Sequence, residues 1–138
     1  MENAGVTRKL AVILAADAVG YSRLMAADEE GTLALLNARR QVTDELIARH
    51  HGRIFGTAGD SVMAEFASAV EAVRCAAAIQ QENQRQNAHL PEPGRMLFRV
   101  GVNLGDVMVG GDDLFGDGVN VAARLEGMAA STTSASDR

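Results

Sequence analysis

Two aspartates are the residues of this chain best placed to bind a metal ion together. An apolar run of strand length, residues 10–14, leads directly to Asp17. Asp60 follows Gly59 in the turn of a predicted hairpin, residues 54–66. Taken alone, that stretch favours an ordinary hairpin with a turn aspartate. Because two strands that each end in a carboxylate can form a two-carboxylate metal site, the pair together indicates metal binding.

The composition is typical of a single acidic domain. The chain has 138 residues, 47% of them hydrophobic and only 4% aromatic, so Ala, Val, Leu and Ile must fill the core. The formal charge of −5 argues against nucleic-acid binding and suits a site that recruits divalent cations. Cys75 is the single cysteine and is predicted to be a buried apolar residue. Because one cysteine cannot form an internal disulfide, we expect a reducing compartment. No apolar run reaches the roughly 18 residues that a membrane span needs, and we expect a cytoplasmic protein.

Local patterns predict an alternation of strands and helices. We expect a strand at 10–14, a short helix from 20–25, a helix at 29–50 with Gly52 as its stop, the hairpin at 54–66, a helix at 68–87, a strand at 96–109 with a bulge or turn at Gly105, a flexible acidic loop at 110–113 and a helix at 119–128.

This order favours an α/β (α+β) fold with a ferredoxin-like βαββαβ sheet and its helices packed on one face. A doubly wound parallel sheet is the alternative, and the central hairpin argues against it. The first long helix is expected to turn an apolar stripe inward, with members Leu33, Leu36, Val42, Leu46 and Ile47. The second is expected to bury Val70, Val73, Ala77 and Ile79 and to leave its Gln/Asn/Arg-rich end in solvent.

Four motifs occur in order along the chain. They are DAVGYS at 17–22, GDSVMAEF at 59–66, VGVNLGD at 100–106 and FGDGVNVAARLE at 115–126. Together they resemble the catalytic domain of class III nucleotide cyclases, the adenylate and guanylate cyclases, over about residues 8–127. The resemblance implies a catalytic domain at 8–128. From their polar composition, residues 1–7 are expected to be flexible and residues 129–138 to form a disordered tail.

The resemblance also implies an active site. Asp17 and Asp60 would hold two divalent metal ions, Mg²⁺ or Mn²⁺, which prefer oxygen ligands and keep positions open for substrate phosphates. The backbone that follows Asp17 would cradle the β- and γ-phosphates of ATP, through Ala18, Val19, Gly20, Tyr21 and Ser22. The implied reaction is attack of the ribose 3′-oxygen on the α-phosphorus, which yields cyclic AMP and pyrophosphate.

A second pair of site residues comes from the last motif. Asn120 and Arg124 match the family's ribose-orienting asparagine and transition-state arginine, and their spacing of four places both on one helix face. In this family the aspartates come from one chain and the Asn/Arg pair from the other. The resemblance therefore implies a homodimer with active sites at the interface.

The chain departs from the family pattern in two places. Gly56 occupies the position of the purine-selecting lysine, while Asp113, or Asp112 in another register, matches the other purine contact and favours ATP. After Met128 the chain turns small and polar, and the family's later strands with a phosphate-contacting lysine are expected to be missing. This leaves a truncated, non-catalytic cyclase-fold domain as the alternative function. A third reading, another two-metal nucleotidyl-transfer enzyme, is disfavoured by the Asn120/Arg124 pair.

Overall fold

Over residues 6–109 the fold alternates strands with helices in the order that the sequence predicts, while the helix predicted at 119–128 lies almost wholly outside the described residues. A computed structural model describes residues 6–110, 113–116 and 118–119. The elements are β1 Val6–Ala18, α1 Tyr21–Ala27, α2 Glu29–Arg49, β2 Arg53–Ala58, β3 Ser61–Phe66, α3 Ala69–Asn87, a 3₁₀ turn Glu92–Gly94, β4 Phe98–Gly110 and β5 Asp113–Phe115. No helix within these ranges combines the length and the apolarity needed to cross a bilayer.

The sheet is antiparallel throughout its described pairs, and β1 is its central strand. The strand order is β2-β3-β1-β4-β5, with β1 paired to β3 on one side and to β4 on the other. This order confirms the ferredoxin-like prediction and excludes the doubly wound parallel sheet, in which neighbouring strands run in one direction. The central strand is longer than predicted, since β1 begins at Val6 and pairs along its whole length with β4.

Both long helices begin at side-chain caps. The Asp28 carboxylate accepts a 3.0 Å hydrogen bond from the Gly31 N–H at the start of α2. Ser68 Oγ accepts a 3.2 Å bond from the Glu71 N–H at the start of α3. These caps satisfy N–H groups that have no partner inside a helix, which explains why each helix begins within a residue of its predicted start.

The sheet buries side chains on both faces, in alternation along β1. Val12, Leu14 and Ala16 pack in the cluster that includes Ile47 of α2 and Ile79 of α3. Ala11, Ile13 and Ala15 point to the other face and pack with Val107, Leu114 and Val119. Because side chains alternate along a strand, Asp17 belongs to this second face, opposite the helices.

The bulge predicted at Gly105 is wrong. The register between β1 and β4 runs without a break through Ala11↔Gly105 and Lys9↔Val107. The apolar phase of β4 shifts because its two halves are covered on different faces: Phe98 is buried on the helix side, and Val107 on the opposite side. The predicted loop at 110–113 is also partly wrong, since Gly110 ends β4 and pairs with Asp113, which begins β5.

The inward faces of the helices differ from the predicted apolar stripes. Leu33 of α2 is 38% exposed, and Val70 and Val73 of α3 are 59% and 58% exposed. The buried positions are instead Thr32, Leu36, Arg39, Thr43 and Ile47 in α2, and Ala72, Cys75, Ile79, Asn83 and Asn87 in α3. Small residues let α3 approach the sheet. The prediction that its Gln/Asn/Arg-rich end stays in solvent is wrong for Asn83 and Asn87, which are buried and hydrogen-bond to Arg39 of α2 and to the backbone of Met96. Cys75 is buried as predicted, and this burial, with the nearby Glu71, raises the pKa of its thiol to about 11.

Candidate active site

The end of the central strand delivers Asp17. The residue before it, Ala16, pairs with Val62 of β3 on one side and with Val100 of β4 on the other. A strand held on both sides has little freedom, so the backbone of Asp17 is fixed. Asp17 itself lies opposite Arg99 in the β1–β4 register.

The hairpin turn brings Asp60 to the same place. Ala58 and Ser61 are the last paired residues of β2 and β3, which leaves Gly59 and Asp60 as a two-residue turn. Gly59 has φ of 56°, a conformation that glycine adopts without strain. Asp60 Oδ2 accepts a 2.8 Å hydrogen bond from the backbone N–H of Ala18. The carboxylate of Asp60 is therefore anchored to the residue that follows Asp17.

Arg99 places a cation beside this pair. Its Nε lies 3.4 Å from Oδ1 of Asp17, and both side chains are partly exposed. The sequence reading did not single out Arg99. Its position follows from the pairing of β1 with β4, which joins residues 82 positions apart, and no local pattern reports that register.

The turn between β1 and α1 holds the five residues expected to meet phosphates. The N–H of Ala18 donates to Asp60, and the N–H of Val19 donates to the carbonyl of Leu97 at 2.8 Å. Gly20 has φ of 66° and is followed by α1, whose first N–H groups, those of Tyr21 and Ser22, have no intrahelical acceptor. The amides that can face an anion are therefore those from the start of α1.

The side chain of Arg23 lies close to the backbone of Gly20. A Cβ atom there would lie 2.8 Å from a guanidinium nitrogen of Arg23. The Arg23 guanidinium thus lies against the backbone of this turn, and it adds positive charge where an anion would bind.

The donor set suits a hard divalent cation that shares its coordination with a ligand. Asp17 and Asp60 supply carboxylate oxygens, which Mg²⁺ and Mn²⁺ prefer. Within the described part of the chain, no group of three or more His, Cys, Asp or Glu side chains could enclose a metal. Two carboxylates leave coordination positions open, so a bound ligand and water would complete the shell.

The remaining predicted site residues are only partly described. Gly56 lies in β2 beside a register shift, and a Cβ built there meets no heavy atom within 4 Å. The backbone of Asp113 begins β5. Asp112, Asn120 and Arg124 lie outside the described residues. Val119, immediately before Asn120, is buried on the face of the sheet to which Asp17 belongs.

Known proteins with a related sequence cover almost the whole chain. The family described as "Adenylate and Guanylate cyclase catalytic domain" matches residues 7–133. A Rhizobium meliloti (strain 1021) protein named "Putative adenylate cyclase 3" is 57% identical over 130 residues, 94% of this chain. A Streptomyces coelicolor protein named "Adenylate cyclase" is 35% identical over 125 residues, 90% of this chain. The chain spans only 22% and 31% of the lengths of these two relatives.

The fold also resembles that of a solved nucleotide cyclase structure. The crystal structure of an adenylate/guanylate cyclase/hydrolase from Silicibacter pomeroyi superposes with a TM-score of 0.85 at 43% sequence identity. The match covers 92% of this chain and 74% of the other. The chain therefore belongs to the adenylate and guanylate cyclase catalytic-domain family, as the four motifs predict.

Proposed function

We propose that this chain is the catalytic domain of an adenylate cyclase that converts ATP to 3′,5′-cyclic AMP and pyrophosphate. The hydrogen bond from Ala18 to Asp60 carries the proposal, because it joins the Asp60 carboxylate to the residue that follows Asp17, at the turn expected to meet phosphates. The names of the two relatives support adenylate over guanylate cyclase activity.

Asp17 and Asp60 would hold two divalent ions, Mg²⁺ or Mn²⁺. When bound, such ions neutralise the triphosphate and lower the pKa of the ribose 3′-hydroxyl. The chain itself would present the Asp17 and Asp60 carboxylates at neighbouring positions. The strand pairing on both sides of Ala16 and the Ala18–Asp60 hydrogen bond perform that task.

The turn after Asp17 would bind the β- and γ-phosphates. The amides of Tyr21 and Ser22 at the start of α1 are suited to anions, and the positive end of a helix adds to this attraction. Arg99 and Arg23 bring two guanidinium groups to the same turn. Positioning of the triphosphate and stabilisation of its charge account for most of the catalysis in a phosphoryl transfer of this kind.

The reaction forms one bond and breaks one. The ribose 3′-oxygen bonds to the α-phosphorus and loses its proton, while the bond from the α-phosphorus to the bridging β-phosphate oxygen breaks and pyrophosphate departs. Asn120 would orient the ribose, and Arg124 would stabilise negative charge that collects on the phosphoryl oxygens. Both would come from the second chain of a homodimer. Asp113 would accept a hydrogen bond from the adenine amino group.

The test is the formation of cyclic AMP by the purified chain with Mn²⁺ and ATP. We expect product from the wild type and a loss of about 100-fold or more in Asp60→Asn, because one metal ligand is removed. The control is Asp44→Asn, the same chemical change on the partly exposed surface of α2. A wild type that binds Mn²⁺ and ATP without turnover would favour the non-catalytic alternative.

A further inference from the structure

A buried arginine lies between α2, α3 and the start of β4. Arg39 is 4% exposed. Its guanidinium donates to the side-chain oxygen of Asn83, to that of Asn87 at 2.8 Å, and to the carbonyl of Met96 at 3.4 Å. Burial lowers the pKa of Arg39, and the charge of Glu82 offsets part of that effect.

The same asparagines hold the backbone of Met96. Asn83 and Asn87 donate to its carbonyl at 2.8 and 2.9 Å, and the side-chain oxygen of Asn87 accepts from its N–H at 3.2 Å. Gln80 of α3 donates a 3.1 Å hydrogen bond to the carbonyl of Phe98, two residues after Met96. Side chains of the helices thus bind the backbone at positions 96 and 98.

The alternate residues of the same segment, Leu97 and Arg99, contact the candidate active site. The carbonyl of Leu97 accepts the Val19 N–H at 2.8 Å, and Arg99 reaches Asp17. Contacts alternate along this segment, since 96 and 98 bind the helices while 97 and 99 bind the site. A shift of Met96 would therefore move both the turn after Asp17 and the cation beside Asp17.

The chemistry of Arg39 is unusual for a residue that only fills the core. A buried guanidinium whose acceptors are amide and carbonyl oxygens pays a desolvation penalty that an apolar side chain of similar volume avoids. Its neighbours on the inward face of α2 include Leu36 and Ile47, so the helix already has apolar residues for packing. What Arg39 adds is directional: it orients both asparagines toward Met96.

We propose that Arg39, through Asn83, Asn87 and Met96, is a positioning residue that holds the Val19 turn and Arg99 against Asp17. This inference rests on the proposed function for its consequence in nucleotide binding, but not for the structural link itself. Arg39 touches neither metal nor nucleotide and acts through the start of β4.

The first measurement is amide exchange at Val19 by NMR in protein without metal or nucleotide. Arg39→Met keeps the length and removes all donors. We expect exchange of the Val19 N–H to accelerate by about tenfold or more beyond the change in global stability, because the buried asparagine oxygens lose their hydrogen bonds from Arg39 and the segment opens locally. The control, Gly52→Ala, strains the far end of α2, where a Cβ would lie 2.6 Å from the Phe66 ring. In this control variant, the exchange rate of the Val19 N–H should change only as much as global stability does.

The second measurement is the affinity for Mn²⁺ with a non-hydrolysable ATP analogue. Arg39→Met should bind about tenfold more weakly than the control at matched stability, and Arg39→Lys, which retains one cationic donor, should recover part of both readouts. If Val19 exchange in Arg39→Met only follows global stability, the proposal is wrong. Where Arg39→Met does not fold, the same comparison is made with Arg39→Lys. Accelerated exchange with unchanged nucleotide affinity would also overturn it. A wild type that binds no Mn²⁺–nucleotide would contradict the proposed function, while the exchange comparison would still decide the role of Arg39.

Discussion

The backbone N–H of Ala18 donates a 2.8 Å hydrogen bond to Oδ2 of Asp60, across 42 positions of the chain. This bond ties the end of the central strand to the turn of the β2–β3 hairpin. One oxygen of Asp60 is thereby oriented before any ligand arrives. The arrangement is pre-organised in the sense that a metal would meet an Asp60 carboxylate already held by the backbone.

The acceptor at position 60 should matter for stability separately from its charge. Asp60→Asn keeps a side-chain oxygen for the Ala18 N–H, whereas Asp60→Ala leaves that part-buried donor without its partner. We expect the free energy of unfolding of Asp60→Ala to be about 1 kcal/mol lower than that of Asp60→Asn. Urea denaturation in metal-free buffer measures the difference. Equal stability of the two variants would show that the hydrogen bond does not stabilise the fold.

Sequence patterns sufficed for the parts of the fold that depend on local chemistry. The Gly59-Asp60 turn follows from glycine's tolerance of positive φ, and the starts of α2 and α3, where the structure shows Asp28 and Ser68 as caps, lie within one residue of their predicted positions. The hairpin excluded a purely parallel sheet, and the order of the four motifs indicated the family.

Features that depend on long-range register or on buried polar groups escaped prediction. Arg99 meets Asp17 only because β1 and β4 pair in one register. Arg39, Asn83 and Asn87 are polar residues that usually lie in solvent, yet all three are buried. Their burial is possible because the Arg39 guanidinium donates hydrogen bonds to the side-chain oxygens of both asparagines. Val70 and Val73 looked like core residues, yet the helix turns its small residues toward the sheet instead.

The end of α2 offers a pair of substitutions with opposite effects on stability. His51 has φ of 67°, whereas Gly52 is packed so that a Cβ would lie 2.6 Å from the Phe66 ring and 2.9 Å from a methyl of Ile47. His51→Gly should raise the free energy of unfolding by about 0.5–1 kcal/mol, because glycine adopts the left-handed conformation without the steric strain that a Cβ atom causes. Gly52→Ala should lower it. Denaturation midpoints that move in the same direction for both variants would contradict this account.

Glu65 should make stability depend on pH. Burial alone would raise the pKa of its carboxyl, but hydrogen bonds and charges from Lys9 and Arg53 outweigh this and lower that pKa. A lowered pKa in the folded state means that the contribution is present above the unfolded value, about 4.3. It is lost as the pH falls through the lower folded value.

The corresponding experiment compares wild type with Glu65→Gln. The variant should be less stable by about 1 kcal/mol at pH 7, and the gap should close as the pH falls below 4. Chemical denaturation across that pH range measures it. A gap that is independent of pH, or one that persists in a Lys9→Met/Arg53→Met background, would rule out the proposed ion pairs as its source.

Position 56 should control how well the site distinguishes purines. The open space around Gly56 leaves the base without the side chain that the family resemblance implies there. We expect GTP to compete with ATP within about tenfold, since strong discrimination needs a buried polar partner for the base. Gly56→Lys should widen the difference without loss of stability. Exclusion of GTP by several orders of magnitude in the wild type would show that other residues select the base.

The central claim is that a cyclase site is built from Asp17 and Asp60 of one chain and Asn120 and Arg124 of another. The most direct measurement is cyclic AMP formation by a mixture of Asp17→Ala and Arg124→Ala, each inactive alone. In a mixed dimer one site carries both lesions and the other carries none. With random pairing, the mixture should recover about a quarter of wild-type activity by the two-fold symmetry of the dimer. A wild type that makes cyclic AMP while the mixture stays inactive, although mixed dimers form, would contradict the claim.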